Sequence, residues 1–531
     1  MTVEVTLALC TICTFSALLV NGAQTSLFLT VVICAGAIFT IFTLARARKS
    51  HAYPPGPTGW PIIGNLLQIP TVQPWLGYSA WADTYGDVVH LEALGDHLVV
   101  LNSARVAKEL LDGRSALYSD RPSLTMAELS GFSVGIALQS YNDEWRAQRR
   151  IVAQAFSPGV ISRYYPIQEL EARKLVYGLH HSPETLVSQT KTRVAAIIMR
   201  VTYGYTIQDD SDPMITMPFT SLANFASAAE PGKWIVDFLP QLRYLPPWMP
   251  GTSFLRTAKS YYDVEQQARW NPYLWCKGQN DNASLREPCL VANVLSQLEG
   301  KLSDDNEATL VRAAISSLGG GLDTNLSAIF TFLLVMLHHP HIQAKAQAEI
   351  DTVIGYERLP SITDRPSLPY VRSVIAEVFR CYPSAPIGLP HALRRDDVYK
   401  NFLLPKSSIV IPNIWRMLHD PNVYSQPDEF KPERFANDDA EMRKVTDLVF
   451  GFGRRACPGS HFAEGTLFAF VTTILATCNV IPKIDDSGKP IIPGMEYTGN
   501  VIMFPKHIVC NVQPRTSRAR ELLEECLSHN Q

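Results

Sequence analysis

Apolar residues gather along this chain in a few long runs, and those runs set the expected elements. Residues 5–20 and 26–44 are strongly apolar, and the second, Ser26 to Leu44, has the roughly 20 residues that a bilayer-spanning helix needs. Asp304 to Leu337 reads as one long helix, with Asp304 as N-cap and Glu307 three residues later. Its second half, through Ile329, Phe330, Phe332, Leu333, Leu334 and Val335, is apolar on every side, as in a core helix. Gly319, Gly320 and Gly321 interrupt it, which predicts close approach to a ligand or a local distortion of the helix. Further helices are predicted over Asp143–Phe156, Val371–Phe379 and Phe462–Leu475. Val88–Leu91 and Leu98–Leu101 read as strands around a Gly95-Asp96 turn. Residues 121–140, with Gly131 and Gly135, read as loop. Residues 209–260 are rich in proline and aromatics (Trp234, Phe238, Pro246, Pro247, Trp248), and read as loops and short helices at a membrane surface or an access channel. The residues from Arg515 onward are polar and are expected to fray.

Charge orients the apolar start. Arg46, Arg48 and Lys49 follow the second run directly, so that end faces the cytosol. The first run reads as a second span or as part of a longer signal-anchor; were it a cleaved signal peptide, the second run would remain as a stop-transfer. Tyr53-Pro54-Pro55-Gly56-Pro57 then forms a stiff, extended linker. The glycosylation-type triplets at Asn282 and Asn325 fall on the cytosolic side. The net charge of −3, with no long basic block, argues against nucleic acid as a main partner. Ten scattered cysteines suggest neither a disulfide framework nor a zinc site, and so a reducing compartment. Pro340 separates His338 and His339 from His341, which argues against a histidine metal site.

The candidate chemistry centres on Phe450-Gly451-Phe452-Gly453-Arg454-Arg455-Ala456-Cys457-Pro458-Gly459, a glycine-rich loop just before an apolar helix. A helix N-terminus favours thiolate, and a thiolate exposed on one side can serve as an axial ligand to haem iron. A lone cysteine can equally be a small core residue. Gly451-x-Gly453-x-x-Ala456 also fits a relaxed dinucleotide fingerprint, but two arginines interrupt it and no acidic strand-end residue follows. Upstream, Trp145 and Arg149 lie four apart on one helix face. Glu377 and Arg380 lie one turn apart, and Pro432-Glu433-Arg434-Phe435 follows.

Taken in order, Trp145-x-x-x-Arg149, Gly320-Gly321-Leu322-Asp323-Thr324, Glu377-x-x-Arg380, Pro432–Phe435 and the Cys457 loop resemble the cytochrome P450 family over roughly residues 54–515. The run 457–464, Cys-Pro-Gly-Ser-His-Phe-Ala-Glu, is closest in look to fungal secondary-metabolism members, the O-methylsterigmatocystin oxidoreductase-like group. The resemblance implies a mostly α fold with a smaller β-rich part and non-covalent haem b between two long helices. It divides the chain into a membrane anchor (1–50), a proline-rich hinge (51–60), a haem-thiolate domain (61–515) and a polar tail (516–531). It makes Cys457 the axial iron ligand, in a loop built with Phe450, Gly453, Arg455 and Gly459. Trp145, Arg149 and His391 would reach haem propionates, and Glu377, Arg380 and Arg434 would form a buried structural network. Asp323 and Thr324 would deliver protons to bound oxygen. Met126, Leu129, Phe132, Ile387, Leu389, Ile502 and Phe504 become candidates for the substrate pocket. Pro386–His391 is expected as an extended strand, and Gly499–Pro505 as a hairpin tip that closes the pocket.

The implied activity is insertion of one oxygen atom from O2 into an apolar or aromatic substrate, a secondary metabolite or a xenobiotic. No separate flavin or nicotinamide site is present in the sequence, so electrons are expected from an NADPH-dependent reductase, with cytochrome b5 as a second donor. A basic face around Arg146, Arg149, Arg150 and Arg454 is its expected dock. The expected location is the endoplasmic reticulum membrane, with the catalytic domain cytosolic. Two other readings keep the haem: an isomerase or dehydratase acting on a peroxide, and a non-catalytic haem carrier or sensor.

Overall fold

The computed structural model describes residues 52–528 apart from 231, 282–287, 299–302, 437 and 500. The expected membrane anchor at 1–50 lies outside the described residues.

Helices dominate, and the small sheets that accompany them follow the strand signals in the sequence. β1 (Val88–Ala93) and β2 (Asp96–Leu101) pair antiparallel, Ala93 opposite Asp96. Leu94 and Gly95 fill the two-residue turn, both at positive φ (51° and 94°), the backbone that matches strand twist in a tight hairpin. β3 is His391–Ala392, β4 Asp397–Tyr399, β5 Phe402–Leu404 and β6 Ile409–Pro412. The main sheet has the order β1-β2-β6-β3, with β2 and β6 parallel. Pro55 accepts the His90 N–H, and a Cβ on Gly56 would collide with the His90 carbonyl oxygen. The linker at Pro55–Gly56 is therefore laid against β1. The contact pattern gathers residues 55–396 and 405–531 into one unit. A second, small unit contains the β4–β5 hairpin, whose Phe402 bridges to Ala52.

The Asp304–His338 helix is the centre of the larger unit. It packs against Leu186–Tyr203, Asp143–Ala155 and Ser460–Thr477. Its composition and length would allow it to cross a membrane, but 78% of its apolar window is buried inside the protein, as in a core helix. Its cap is Ser303, whose side chain accepts the Asn306 N–H, rather than Asp304. The helix runs unbroken through the three glycines, so of the two expectations for that run the local distortion is not seen. Gly321 packs closely on the Leu186–Tyr203 helix: a Cβ would lie 2.6 Å from Ile198 Cδ1, which would have to shift. Asn325 and Ser327, from the glycosylation-type triplet, are buried in the same helix.

Three loop expectations are corrected. Residues 121–140 contain a helix, Thr125–Leu129, and a single turn, Phe132–Val134. The region 209–260 contains the Pro213–Ala228 helix and the start of a 29-residue helix, Ser253–Asp281; proline stands at the first position of Pro213–Ala228, where a missing N–H costs nothing. The expected frayed tail forms the Ser517–Ser528 helix, which buries Ala519, Leu522 and Leu523. Its polar majority masked an apolar stripe, and Arg515, just before it, bonds both carboxylate oxygens of Asp351 at 2.6 and 3.0 Å.

Candidate active site: a cysteine loop ringed by arginines

The Phe450–Gly459 loop is held by its own backbone. Cys457 N–H donates to the Phe450 carbonyl at 2.7 Å. Gly453 has a φ of +53°, and a Cβ there would meet the Leu111 carbonyl oxygen at 2.2 Å, so only glycine fits. Its N–H is held by Asp112. Gly459 caps the Ser460–Thr477 helix. Phe450 packs edge-on against Phe379 with ring centroids 5.8 Å apart, which joins the loop to the Pro369–Cys381 helix.

Cys457 is exposed, yet dense protein surrounds it. Burial pushes its thiol up, against the Gly459 N–H and the Arg149 charge, which pull it down.

Arginines crowd this side of the loop. Arg149 donates to the Ala456 carbonyl. Arg455 donates to the carbonyls of Ser119, Ile136 and Gln139, at 2.7, 3.0 and 2.7 Å, and stacks 4.3 Å from the Trp145 ring. Trp145 is buried, with its indole N–H on the Ile136 carbonyl at 3.2 Å. Arg121, missed in the sequence, is buried and donates to Ala137, Leu389 and Pro390. His391 is buried beside it, with Nδ1 2.7 Å from the Tyr118 carbonyl. Burial and Arg455 push Arg121 down to about 9, against Asp120. Burial, with Arg149, pushes Arg455 down to about 10, against Asp120. Burial and the same arginines push His391 down to about 3.

Asp120 is the carboxylate that opposes this group in those shifts. Three guanidinium groups against one carboxylate leave a surplus of two positive charges. That donor set matches the two propionates of a haem, and the nearby accessible sulfur matches its axial ligand. Among the described residues no group of three or more His, Cys, Asp or Glu side chains could hold a metal by itself. His338 contacts the Pro493 carbonyl and His339 stacks on Phe430.

The remaining candidates are distributed unequally. Thr324 Oγ donates to the Gly320 carbonyl at 2.8 Å. Burial raises Asp323 to about 6, against the Lys191 charge. Ser384 Oγ donates to the Thr324 carbonyl at 3.2 Å, Met503 N–H to the Ser384 carbonyl at 2.8 Å, and Ser327 Oγ to the Met503 carbonyl at 2.6 Å. This ring of bonds ties the segments carrying Ile387, Leu389, Ile502 and Phe504 to the long helix. Pro386–His391 is mostly a turn rather than a strand: Gly388 sits at φ +57° and only His391 enters β3. Tyr497 and Pro505 bridge antiparallel, with Thr498 N–H on the Phe504 carbonyl, which gives the expected hairpin closure. Met126 and Phe132 are buried in an apolar cluster with Val236 and Phe254, and Leu129 packs at its margin.

Behind the loop, Arg380 donates to both oxygens of Glu377 at 2.8 and 3.0 Å, and Arg434 donates to Glu377 at 2.8 Å. Glu377 also accepts the Lys431 N–H.

These features define a protein that holds haem through one cysteine. The chain belongs to the cytochrome P450 family: the family profile described as Cytochrome P450 matches residues 54–511. Members of this family bind haem through a cysteine thiolate and act with a redox partner and O2 on organic substrates. The chain is 53% identical to cytochrome P450 monooxygenase 105 of Postia placenta, over 91% of this chain and 93% of that one. It is 36% identical to cytochrome P450 monooxygenase claR of Ampulloclitocybe clavipes, over 92% and 91%. It is 35% identical to cytochrome P450 monooxygenase ppsD of Aspergillus oryzae, over 91% and 93%.

Proposed function

We propose that this protein is a haem-thiolate monooxygenase that inserts one oxygen atom of O2 into an apolar or aromatic substrate of fungal secondary metabolism. The observation that carries this reading is the exposed Cys457 beside a surplus of guanidinium charge from Arg121, Arg149 and Arg455. The relatives' printed names support the reaction class. The 457–464 run keeps the O-methylsterigmatocystin oxidoreductase-like group as the subgroup.

Cys457 would hold the haem, which when bound would supply oxygen activation. Arg121, Arg149 and Arg455 would bind the propionates and fix the orientation of the ring, while His391, neutral and with its Nδ1–H given to the Tyr118 carbonyl, packs beside Arg121. Asp323, raised to about 6 by burial against the Lys191 charge, exchanges a proton near neutral pH. The Thr324 hydroxyl donates to Gly320 and keeps its lone pairs free to hold a water for that proton. Ile387, Leu389, Ile502 and Phe504 present apolar surface to the substrate.

Electrons come from NADPH through a separate reductase, with cytochrome b5 as a second donor. Arg146, Arg150 and Arg454 are exposed and supply a basic docking face. Residues 1–50 anchor the chain in the endoplasmic reticulum membrane, with residues 61–515 on the cytosolic side.

The test is the absorption spectrum of the reduced protein with carbon monoxide, for wild type and Cys457→His. A strongly red-shifted Soret band that disappears in the variant supports the reading. A band at the imidazole-haem position in wild type refutes thiolate ligation. Turnover with a reductase then separates a monooxygenase from a haem carrier.

A further inference from the structure

We propose that Cys276 and Cys289 form an oxidant-sensitive thiol pair, which hydrogen peroxide converts to an internal disulfide. Cys276 lies near the end of the Ser253–Asp281 helix, and Cys289 is the N-cap of the Leu290–Gln297 helix. Their sulfurs are 3.7 Å apart and both side chains are fully buried. Cys289 Sγ accepts the Ala292 N–H at 3.4 Å. A sulfur that caps a helix and accepts its N–H is stabilised as thiolate, and a neighbouring thiol can then donate to it. The two cysteines differ accordingly. Either sulfur can donate in the bond they share, but only Cys289 also accepts a backbone N–H; the shared bond, with the Ala292 N–H and against burial, pulls the Cys289 thiol below its ordinary range, and with burial it pushes Cys276 far up. Cys289 is thus the nucleophile and Cys276 the resolving thiol. By contrast, Cys478 contacts His180, burial and the Glu377 charge push Cys381 well up, and neither sulfur is paired in this way.

The chemistry balances. Cys289 thiolate attacks one peroxide oxygen; an S–O bond forms, the O–O bond breaks, and the departing hydroxide takes up a proton to become water. Cys276 sulfur then attacks the sulfenic sulfur; an S–S bond forms and the S–O bond breaks. The second hydroxide leaves as water with the Cys276 proton. The two thiols lose two electrons and two protons, and the peroxide is reduced to two waters. The sulfurs must close by about 1.7 Å to reach disulfide length. The bond would staple the end of the Ser253–Asp281 helix, which Tyr273 and Lys277 already tie to Glu307 at 2.7 Å each.

The experiment treats the detergent-solubilised full chain with hydrogen peroxide, blocks free thiols with N-ethylmaleimide, and maps tryptic peptides by mass spectrometry. The expected result is a linked pair of peptides, 270–277 with 287–301, that dithiothreitol separates. Cys276→Ser should abolish the link and leave Cys289 trapped by dimedone as sulfenic acid. Cys289→Ser should abolish the link and leave Cys276 unoxidised. Maleimide on both cysteines at every peroxide concentration that preserves the circular dichroism spectrum overturns the proposal, as does Cys289 linked to a different cysteine. The wild-type peptide map decides even if a variant fails to fold.

Discussion

Arg380 and Glu377 are joined by two hydrogen bonds, and neither side chain reaches solvent. Removing either partner leaves the other charged and unpaired in the core. Arg380→Leu is expected to cost about 3–5 kcal/mol, read as a lower denaturant midpoint. Glu377→Gln should cost a similar amount, because Arg434 loses the same carboxylate. An unchanged midpoint in both variants would show that the network is dispensable.

The surplus charge around Arg121 gives a second prediction. Arg121→Leu leaves the carbonyls of Ala137, Leu389 and Pro390 without their donor, at about 1–3 kcal/mol for a buried orphan. It also removes one of the charges assigned to the propionates. The haem-to-protein ratio of the purified variant is expected to fall; a full ratio with ordinary stability would remove Arg121 from the site.

Asp323 makes stability depend on pH. Its folded value of about 6 lies above the ordinary 3.8. Between these limits the folded chain binds the proton more tightly than the unfolded chain does, so stability falls as pH rises from about 4 to about 6. A gap of that size is worth roughly 2–3 kcal/mol. Asp323→Asn should flatten this part of the curve in pH-dependent denaturation.

Thr324→Ala removes a hydroxyl that is bonded only to the helix, through Gly320. Stability should change by no more than about 1 kcal/mol. The effect is expected instead in coupling: more peroxide and less product per NADPH, measured with a reductase. Unchanged product yield would assign proton handling elsewhere.

Deleting residues 516–531 exposes the face that Leu522 and Leu523 cover. Each buried leucine is worth about 1.5–3 kcal/mol, so the truncated chain should melt several degrees lower. A polar tail without structure would leave the melting temperature where it was.

Much of this could be seen in the sequence because the signals were local. Cys457, Gly453 and Gly459 share one loop, and the Glu377–Arg380 pair is one helical turn. The β1–β2 hairpin announced itself by its turn. Arg121 could not be found that way. It sits in an Asp-Arg-Pro triplet with no spacing to mark it, and its role depends on partners from 16 to 269 residues away. The tail helix is not legible because its buried positions, Ala519, Leu522 and Leu523, stand among many charges and look weak until a groove receives them. The long helix is legible in extent, but the close contact of Gly321 with Ile198 is not, because Ile198 is distant in sequence.

The ring of bonds through Ser327, Met503, Ser384 and Thr324 bears on how such a pocket can diversify. Two segments, around Ser384 and Met503, are pinned to a single helix and to each other, so drift in one would pull on the other. New preferences would then arise by exchanging side chains at Ile387, Leu389, Ile502 and Phe504 while the frame stays put. A directed-evolution library confined to those four positions would change substrate choice at little risk to folding.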